Sequence, residues 1–137
     1  KKDYDAVLKE CEANNCYVVR DDKERDALRA AIFDDKGKPI SNSVGQSAET
    51  IAEMAGFSVP KGTRAIVVQP VGTGLVDPLG GEKMCPVIAA YGYYTLGEGV
   101  EIARIWRKMA RVTASLSTPI LRPISSMSEA VSVCPDS

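Results

Sequence analysis

The sequence predicts an α/β fold in which short strands alternate with amphipathic helices. Two runs, residues 16–19 and 65–69, are rich in valine and other apolar side chains, as buried strands are. The segments around them place apolar residues at helical spacing among charges. The 137 residues are enough for one domain with a core, and 45% hydrophobic with 26% charged residues argue against disorder.

Four helices are predicted from periodicity and from their start and stop signals. Three of them cover residues 5–14, 23–32 and 96–108, and the remaining one lies within the stretch of residues 43–56. Asn14-Asn15 suits the left-handed end of the first helix, and Asp21-Asp22 offers an N-cap to the second. Ser47 caps the third helix, Gly56 ends it, and Thr95 begins the fourth.

Three strands are predicted between these helices. They cover residues 16–19, 65–69 and 86–94. Residues 34–39 have turn composition, and residues 70–81 hold enough glycine and proline to predict a loop.

Composition excludes several classes of function. A net charge of −1 and a pI of about 5.5 argue against a nucleic-acid partner. No apolar run is long enough to span a membrane, and no signal peptide follows Lys1, so we expect a cytoplasmic protein with free thiols. No cysteine pair has CxxC spacing, and the absence of histidine excludes histidine-dependent triads and HExxH zinc sites.

Two stretches stand out as candidate sites. Residues 44–60 (VGQSAETIAEMAGFSVP) are, on physical grounds alone, a capped helix closed by glycine and proline. Residues 80–87 (GGEKMCPV) place two glycines, which let a backbone approach a ligand closely, beside Glu82. A carboxylate there can accept hydrogen bonds from ribose hydroxyls, and the alternative is an exposed loop glutamate beside Lys83.

The cysteines give a weaker signal. Cys11 and Cys16 have the pattern of small core residues. Cys85 lies near the candidate loop, but a nucleophilic cysteine needs an activating cation, a helix N-terminus or a base. Lys83 is close in sequence and no histidine exists, so we do not expect Cys85 to be a nucleophile.

Together these stretches resemble the acylating branch of the aldehyde dehydrogenase superfamily, as found in bifunctional aldehyde-alcohol dehydrogenases and in relatives associated with bacterial microcompartments. The matching text occurs in the family's order over roughly residues 3–105. It consists of residues 4–7, residues 16–19, residues 44–60 and residues 82–87 with Tyr91 after them. The VGQSA and GEKMCPV segments are the specific part of this likeness.

The resemblance implies oxidation of a small aldehyde with NAD to a cysteine thioester, followed by transfer of the acyl group to coenzyme A. Glu82 matches the glutamate of the superfamily's E-x-[FL]-x-P-[VT] motif, which binds the nicotinamide ribose. Gly80, Gly81 and Pro86 would shape its loop, and Cys85 falls at a variable position of the motif.

The resemblance also implies that this chain is a partial catalytic domain. The family's nucleophilic cysteine and its Rossmann domain would both precede Lys1, so we predict that the chain alone is inactive and carries no catalytic residue. The parent would be a homo-oligomer in the cytoplasm or in a bacterial microcompartment. A non-acylating aldehyde dehydrogenase, a non-catalytic scaffold that kept the fold, and a degraded gene remain as alternatives.

The family likeness stops near residue 105, where the pattern G-x-G-H-[TS] and then I-H-[TS] is expected. The last of the 11 glycines is Gly99. Read in a shifted frame, Met109-Ala110 must encode glycine, and the following codons permit the rest of that pattern. We therefore divide the chain into residues 1–105 and a tail, residues 106–137, that is frameshifted or truly divergent, and we expect a frameshifted tail to be disordered or poorly docked.

Overall fold

A computed structural model describes residues 2–73 and 76–109, and the side chains of residues 3–73 and 76–105. Its helices are α1 (Lys2–Ala13), α2 (Asp22–Ile32), α3 (Ala48–Ala55) and α4 (Leu96–Met109). Its strands are β1 (Cys16–Val19), β2 (Ala65–Val68) and β3 (Val87–Ala89). Two short 3₁₀ helices cover Ser41–Ser43 and Pro78–Gly80. The α/β prediction is therefore confirmed.

The predicted helix signals are used as the sequence indicates. Asp21 caps α2 by accepting a hydrogen bond from the Lys23 N–H, and Ser47 caps α3 by accepting one from the Thr50 N–H. Gly56 ends α3 in the left-handed conformation, with a φ of 84°. Thr95 and Glu98 cap α4 reciprocally through each other's backbone N–H groups, so α4 also starts where predicted.

The strands form one parallel sheet in the order β1-β2-β3. The chain returns from β1 to β2 through α2 and α3, as a parallel connection requires. One sequence prediction is wrong in its extent, because β3 is three residues long and does not run over residues 86–94. The Pro86 carbonyl accepts a bond from the Ile66 N–H just before β3, and Tyr91 uses its hydroxyl to bond the Gly72 carbonyl of a loop.

Alternation along the strands divides the core between the two faces of the sheet. Val19, Ile66 and Val68 face α2 and α3, where they join the larger buried cluster. Val18 and Val67 face α1 and pack with Leu8 in a smaller cluster. The prediction that Cys11 and Cys16 are core residues needs correction, since both are only partly buried at the margin of that smaller cluster.

The frameshift hypothesis concerns residues 106–137. Helix α4 extends through Met109, and residues 110–137 lie outside the described residues. The expectation of a disordered tail is therefore not tested.

Candidate functional site

The predicted site residues lie on the loop that connects the 3₁₀ turn at Pro78–Gly80 with β3. Gly80 is buried, Gly81 and Pro86 are partly buried, and Glu82 is exposed. The Glu82 side chain forms no hydrogen bond or ion pair with any described residue. We call residues 77–86 the Glu82 loop.

An ion pair between the partly exposed Arg29 and the buried Asp77 anchors the start of the Glu82 loop. The Arg29 guanidinium on α2 donates to both carboxylate oxygens of Asp77. The Nε–Oδ1 distance is 2.8 Å and the Nη2–Oδ2 distance is 2.9 Å. The same carboxylate accepts hydrogen bonds from the N–H groups of Val71 and Leu79. Because Asp77 is only 2% exposed, these four contacts replace the water that the charge has lost.

The two charges of this pair reinforce each other. Burial alone would raise the pKa of Asp77, but the bonds from Arg29 and from the two backbone N–H groups outweigh it and lower that pKa overall. The hydrogen bond to Asp77 raises the pKa of Arg29, which overcomes the opposing effect of burial. Both groups are therefore charged at neutral pH, and α2 is fastened to the loop.

The Lys83 side chain links the middle of the Glu82 loop to the start of the same loop. Its Nζ donates to the Leu79 carbonyl at 2.6 Å and to the Gly81 carbonyl at 3.0 Å, so the side chain turns back into the loop. Burial lowers the pKa of Lys83 to about 8, although Cys85 and Asp77 act in the opposite direction. The sequence-based alternative was an exposed Glu82 beside Lys83. The structure agrees with it in that Glu82 is exposed, but the Lys83 side chain turns into the loop and does not lie in solvent beside Glu82.

A backbone hydrogen bond joins the two specific sequence segments. The Gly45 N–H, in the VGQSA segment before α3, donates to the Met84 carbonyl in the Glu82 loop at 2.8 Å. Gly45 has a φ of 72°, a conformation that glycine adopts without strain. Segments some forty residues apart in the sequence therefore meet at one place, which the resemblance alone did not indicate.

Close approach explains one of the two loop glycines. A Cβ on Gly81 would lie 3.1 Å from the Pro78 carbonyl oxygen, so a larger residue would push the turn open. The Pro86 carbonyl accepts from the Ile66 N–H at 2.9 Å and fixes the other end of the loop against β2. Gly81 and Pro86, which the prediction places around Glu82, therefore contribute to the shape of the loop.

Cys85 packs against the larger core cluster and stays partly buried. Burial raises the pKa of Cys85, and the opposing effects of Lys83 and of the Val87 N–H are smaller. The thiol is therefore protonated at neutral pH, which is typical of a packing residue and not of an activated nucleophile.

A cleft of about 570 Å³ opens between α1, the start of α2 and the carboxyl ends of β1 and β2. Its lining includes Tyr4, Arg20, Arg25, Gln69 and Val71, and none of residues 80–86. Two of these lining residues are hydrogen-bonded to each other, because the Tyr4 hydroxyl donates to the Gln69 side-chain oxygen at 3.2 Å. The cleft and the Glu82 loop are therefore separate features.

Sequence reasoning missed the Arg29–Asp77 pair, the inward turn of Lys83 and the cleft. Asp77-Pro78 is a recognisable start of a short helical turn, since Asp77 caps it and proline follows. No comparable sequence signal marks Arg29, which lies 48 residues away from Asp77 in a helix rich in charges. Within the described residues, no group of three or more potential ligands is placed to hold a metal ion.

No family model matches the chain. It is 42% identical over 102 residues to the succinate-semialdehyde dehydrogenase (acetylating) of Clostridium kluyveri, covering 74% of this chain and 22% of that protein. It is 40% identical over 91 residues to an aldehyde-alcohol dehydrogenase of Clostridium acetobutylicum, covering 66% of this chain and 10% of that protein. The chain thus spans about a fifth or less of the length of these relatives.

The structure resembles that of the Rhodopseudomonas palustris propionaldehyde dehydrogenase with bound propionyl-CoA. The TM-score is 0.75 at 20% identity, over 93% of this chain and 28% of that one. The fold is therefore that of part of an aldehyde dehydrogenase. The homologues narrow the class further, because they are acetylating aldehyde dehydrogenases and bifunctional aldehyde-alcohol dehydrogenases, and this confirms the resemblance to the acylating branch.

No helix in the described part of the chain combines the length and the apolar character needed to cross a membrane.

Proposed function

We propose that this chain is the portion of an acylating aldehyde dehydrogenase that holds the nicotinamide ribose of NAD. The observation that carries the proposal is the exposed Glu82 carboxylate on a loop whose neighbouring residues are all fastened. The parent enzyme would oxidise a small aldehyde to a thioester on a cysteine outside this chain and then form acyl-coenzyme A.

The chemistry of Glu82 fits this role. A carboxylate is an acceptor of hydrogen bonds, and the ribose hydroxyls are donors. Because Lys83 turns into the loop, the carboxylate of Glu82 is not neutralised by its neighbour and remains available to a ligand. Gly81 and Pro86 keep the backbone on either side in place. NAD, when bound, accepts the hydride, and the protein's part is to fix the orientation of its ring.

Coenzyme A is proposed as the acyl acceptor from the acetylating relatives and from the propionyl-CoA bound in the similar structure. We assign no residue of this chain to it, and none to catalysis. Accordingly, the purified chain alone should form no NADH from an aldehyde, NAD and coenzyme A. We also propose that the parent is a homo-oligomer located in the cytoplasm or in a bacterial microcompartment.

A chimera tests the proposal. Residues 3–105 replace the matching segment of the Clostridium kluyveri enzyme, and NADH formation from succinate semialdehyde is measured with and without coenzyme A. We expect coenzyme-A-dependent activity, and we expect Glu82→Gln to reduce kcat by about a hundredfold because the ring is misplaced.

The matched control is Glu53→Gln, which neutralises an exposed glutamate on α3 that has no side-chain bond among the described residues. It should leave kcat unchanged. A folded chimera that is inactive, or one in which both substitutions have the same effect, would contradict the proposal. Acid formation without coenzyme A would instead indicate the non-acylating branch.

For residues 106–137 we propose a frame change in the encoding DNA. Translation of all three frames, from well upstream of Lys1 to beyond Ser137, would show the G-x-G-H-[TS] pattern in the shifted frame and a cysteine upstream. Absence of family text from the other frames would refute the frame change and favour a divergent tail.

A further inference from the structure

Lys83 follows Glu82 directly, and its side chain turns back over the residues that precede Glu82. Its Nζ donates to the Leu79 carbonyl at 2.6 Å and to the Gly81 carbonyl at 3.0 Å. The Gly81 carbonyl belongs to the same rigid peptide plane as the Glu82 N–H. The bond from Lys83 therefore restricts the orientation of the peptide unit that leads into Glu82.

The Leu79 carbonyl is a firm anchor for the Lys83 side chain. Leu79 is 0% exposed and belongs to the larger core cluster, and its N–H donates to the Asp77 carboxylate at 3.1 Å. Asp77 is in turn bonded by Arg29 of α2. A continuous set of contacts thus runs from α2 to the amine beside Glu82.

The backbone on the other side of Glu82 is held as well. The Met84 carbonyl accepts a hydrogen bond from the Gly45 N–H at 2.8 Å. The loop is therefore fixed before and after Glu82, whereas the Glu82 side chain is exposed. Since the backbone on both sides is held, the loop sets the direction in which the Glu82 side chain leaves it.

An amine is well suited to the position of the Lys83 Nζ. A lysine Nζ is a donor of several hydrogen bonds, so it can serve two carbonyls at once, which the thioether of a methionine cannot do. Burial lowers the pKa of Lys83 to about 8, in agreement with an amine that lies inside the loop. Burying an amine costs hydration, and the two carbonyl contacts offset that cost.

We propose that Lys83 is a positioning residue for Glu82, because it links the Leu79 and Gly81 carbonyls and so fixes the direction in which the Glu82 carboxylate leaves the loop. This inference rests on the proposed ribose-binding role of Glu82. Lys83 acts through its neighbour and is assigned no contact with NAD or with the reacting atoms.

Hydrogen exchange in the full 137-residue chain tests whether Lys83 holds the loop. The N–H groups of Gly80 and Gly81 close the 3₁₀ turn that the Lys83 side chain spans, so their exchange reports its opening. Lys83→Met should speed this exchange by about tenfold. Lys61→Met, at an exposed lysine, is the matched control and should leave it unchanged. Equal exchange in the two variants would overturn the proposal.

A double-mutant cycle in the chimera with the Clostridium kluyveri enzyme separates positioning from a purely structural role. Lys83→Met should lower kcat by about tenfold and leave the KM of the aldehyde unchanged, because the nicotinamide ring is misplaced. In the Glu82→Gln background the same substitution should change kcat by less than about twofold, since the group through which Lys83 acts is already lost. Lys83→Arg keeps donors for both carbonyls and should retain more activity than Lys83→Met.

The outcomes of the cycle are distinct. A further tenfold loss from Lys83→Met in the Glu82→Gln background would overturn the proposal, because the substitution would then act on the fold and not through Glu82. So would an unchanged kcat in Lys83→Met when Glu82→Gln alone lowers it. If Glu82→Gln itself left kcat unchanged, the ribose-binding role would fail and the positioning role with it. Lys61→Met should leave kcat unchanged throughout.

Discussion

The two faces of the parallel sheet are packed unequally. Eleven buried residues, drawn from both strands and helices, form a single core on the α2–α3 face. On the α1 face the described residues contribute three buried side chains, namely Leu8, Val18 and Val67. Since stabilisation grows with the apolar area removed from water, the α2–α3 face supplies most of it.

The functional features follow the same division. The Glu82 loop belongs to the well-packed face, because Leu79 is part of its core, Cys85 packs on it and Arg29 reaches Asp77 from α2. The α1 face holds the open cleft and the partly exposed Cys11 and Cys16. The proposed ribose-binding carboxylate thus lies on a loop of the better-packed face, and the open cleft lies on the face with the smaller buried cluster.

The sharpest test of this comparison is the same substitution on both faces. Leu28→Ala on α2 should cost about 4 kcal/mol of unfolding free energy, and Leu8→Ala on α1 about 2 kcal/mol. Leu28 is 0% exposed and its cavity is enclosed, whereas Leu8 is 7% exposed beside the cleft, where the site can relax. Chemical denaturation followed by circular dichroism measures both. Equal costs, or a larger one for Leu8, would refute the division.

Breaking the Arg29–Asp77 ion pair should have the next largest effect. Arg29→Met leaves the Asp77 carboxylate without its cation while it is 2% exposed, and should cost about 3 kcal/mol. The matched control is Arg20→Met, which breaks an exposed pair with Glu12 and should change stability by less than about 0.5 kcal/mol. Denaturation of the two variants side by side gives the comparison, and similar losses would mean that the pair does not anchor the loop.

Lys83 should make the stability of the loop face depend on pH. Burial lowers its pKa to about 8 from 10.5, so between these values the unfolded chain holds a proton that the folded chain has released. The free energy of unfolding therefore increases as the pH rises from about 8 to 10.5. Below pH 8 both states carry the charged amine, and its burial in the folded state lowers the free energy of unfolding. Lys83→Met should remove the rise, as denaturation at several pH values would show. Parallel pH profiles of the two proteins would contradict this.

The smallest effect expected is at the cap of α3. Ser47→Ala removes the hydroxyl that accepts from the Thr50 N–H and should cost about 1 kcal/mol. Ser58→Ala, at an exposed position after α3, is the control and should be neutral within about 0.5 kcal/mol. Denaturation midpoints distinguish the two variants. If Ser47→Ala left the free energy of unfolding unchanged, α3 would be stabilised by its buried face alone.

Most of the helices and the first two strands could be predicted from the sequence, and the reason is local. Asp21, Ser47 and Gly56 act within a few residues of themselves, so their signals can be recognised without the fold. The third strand was overextended, because PVIAAYGYY reads as one β-rich run. Its pairing stops at Ala89, because the partner strand β2 ends at Val68, the residue that pairs with Ala89.

For the site, the resemblance predicted Glu82 as the ribose-binding residue and Gly80, Gly81 and Pro86 as residues that shape its loop, while residue chemistry alone left an exposed loop glutamate as the alternative. Only the tertiary structure decided how that loop is held. The Arg29–Asp77 bond spans 48 residues and the Gly45–Met84 bond joins two distant segments, and neither leaves a periodic or local trace in the sequence. The unequal faces of the sheet have the same origin. Which side of a strand is covered depends on where distant helices pack, and only the fold brings those partners together.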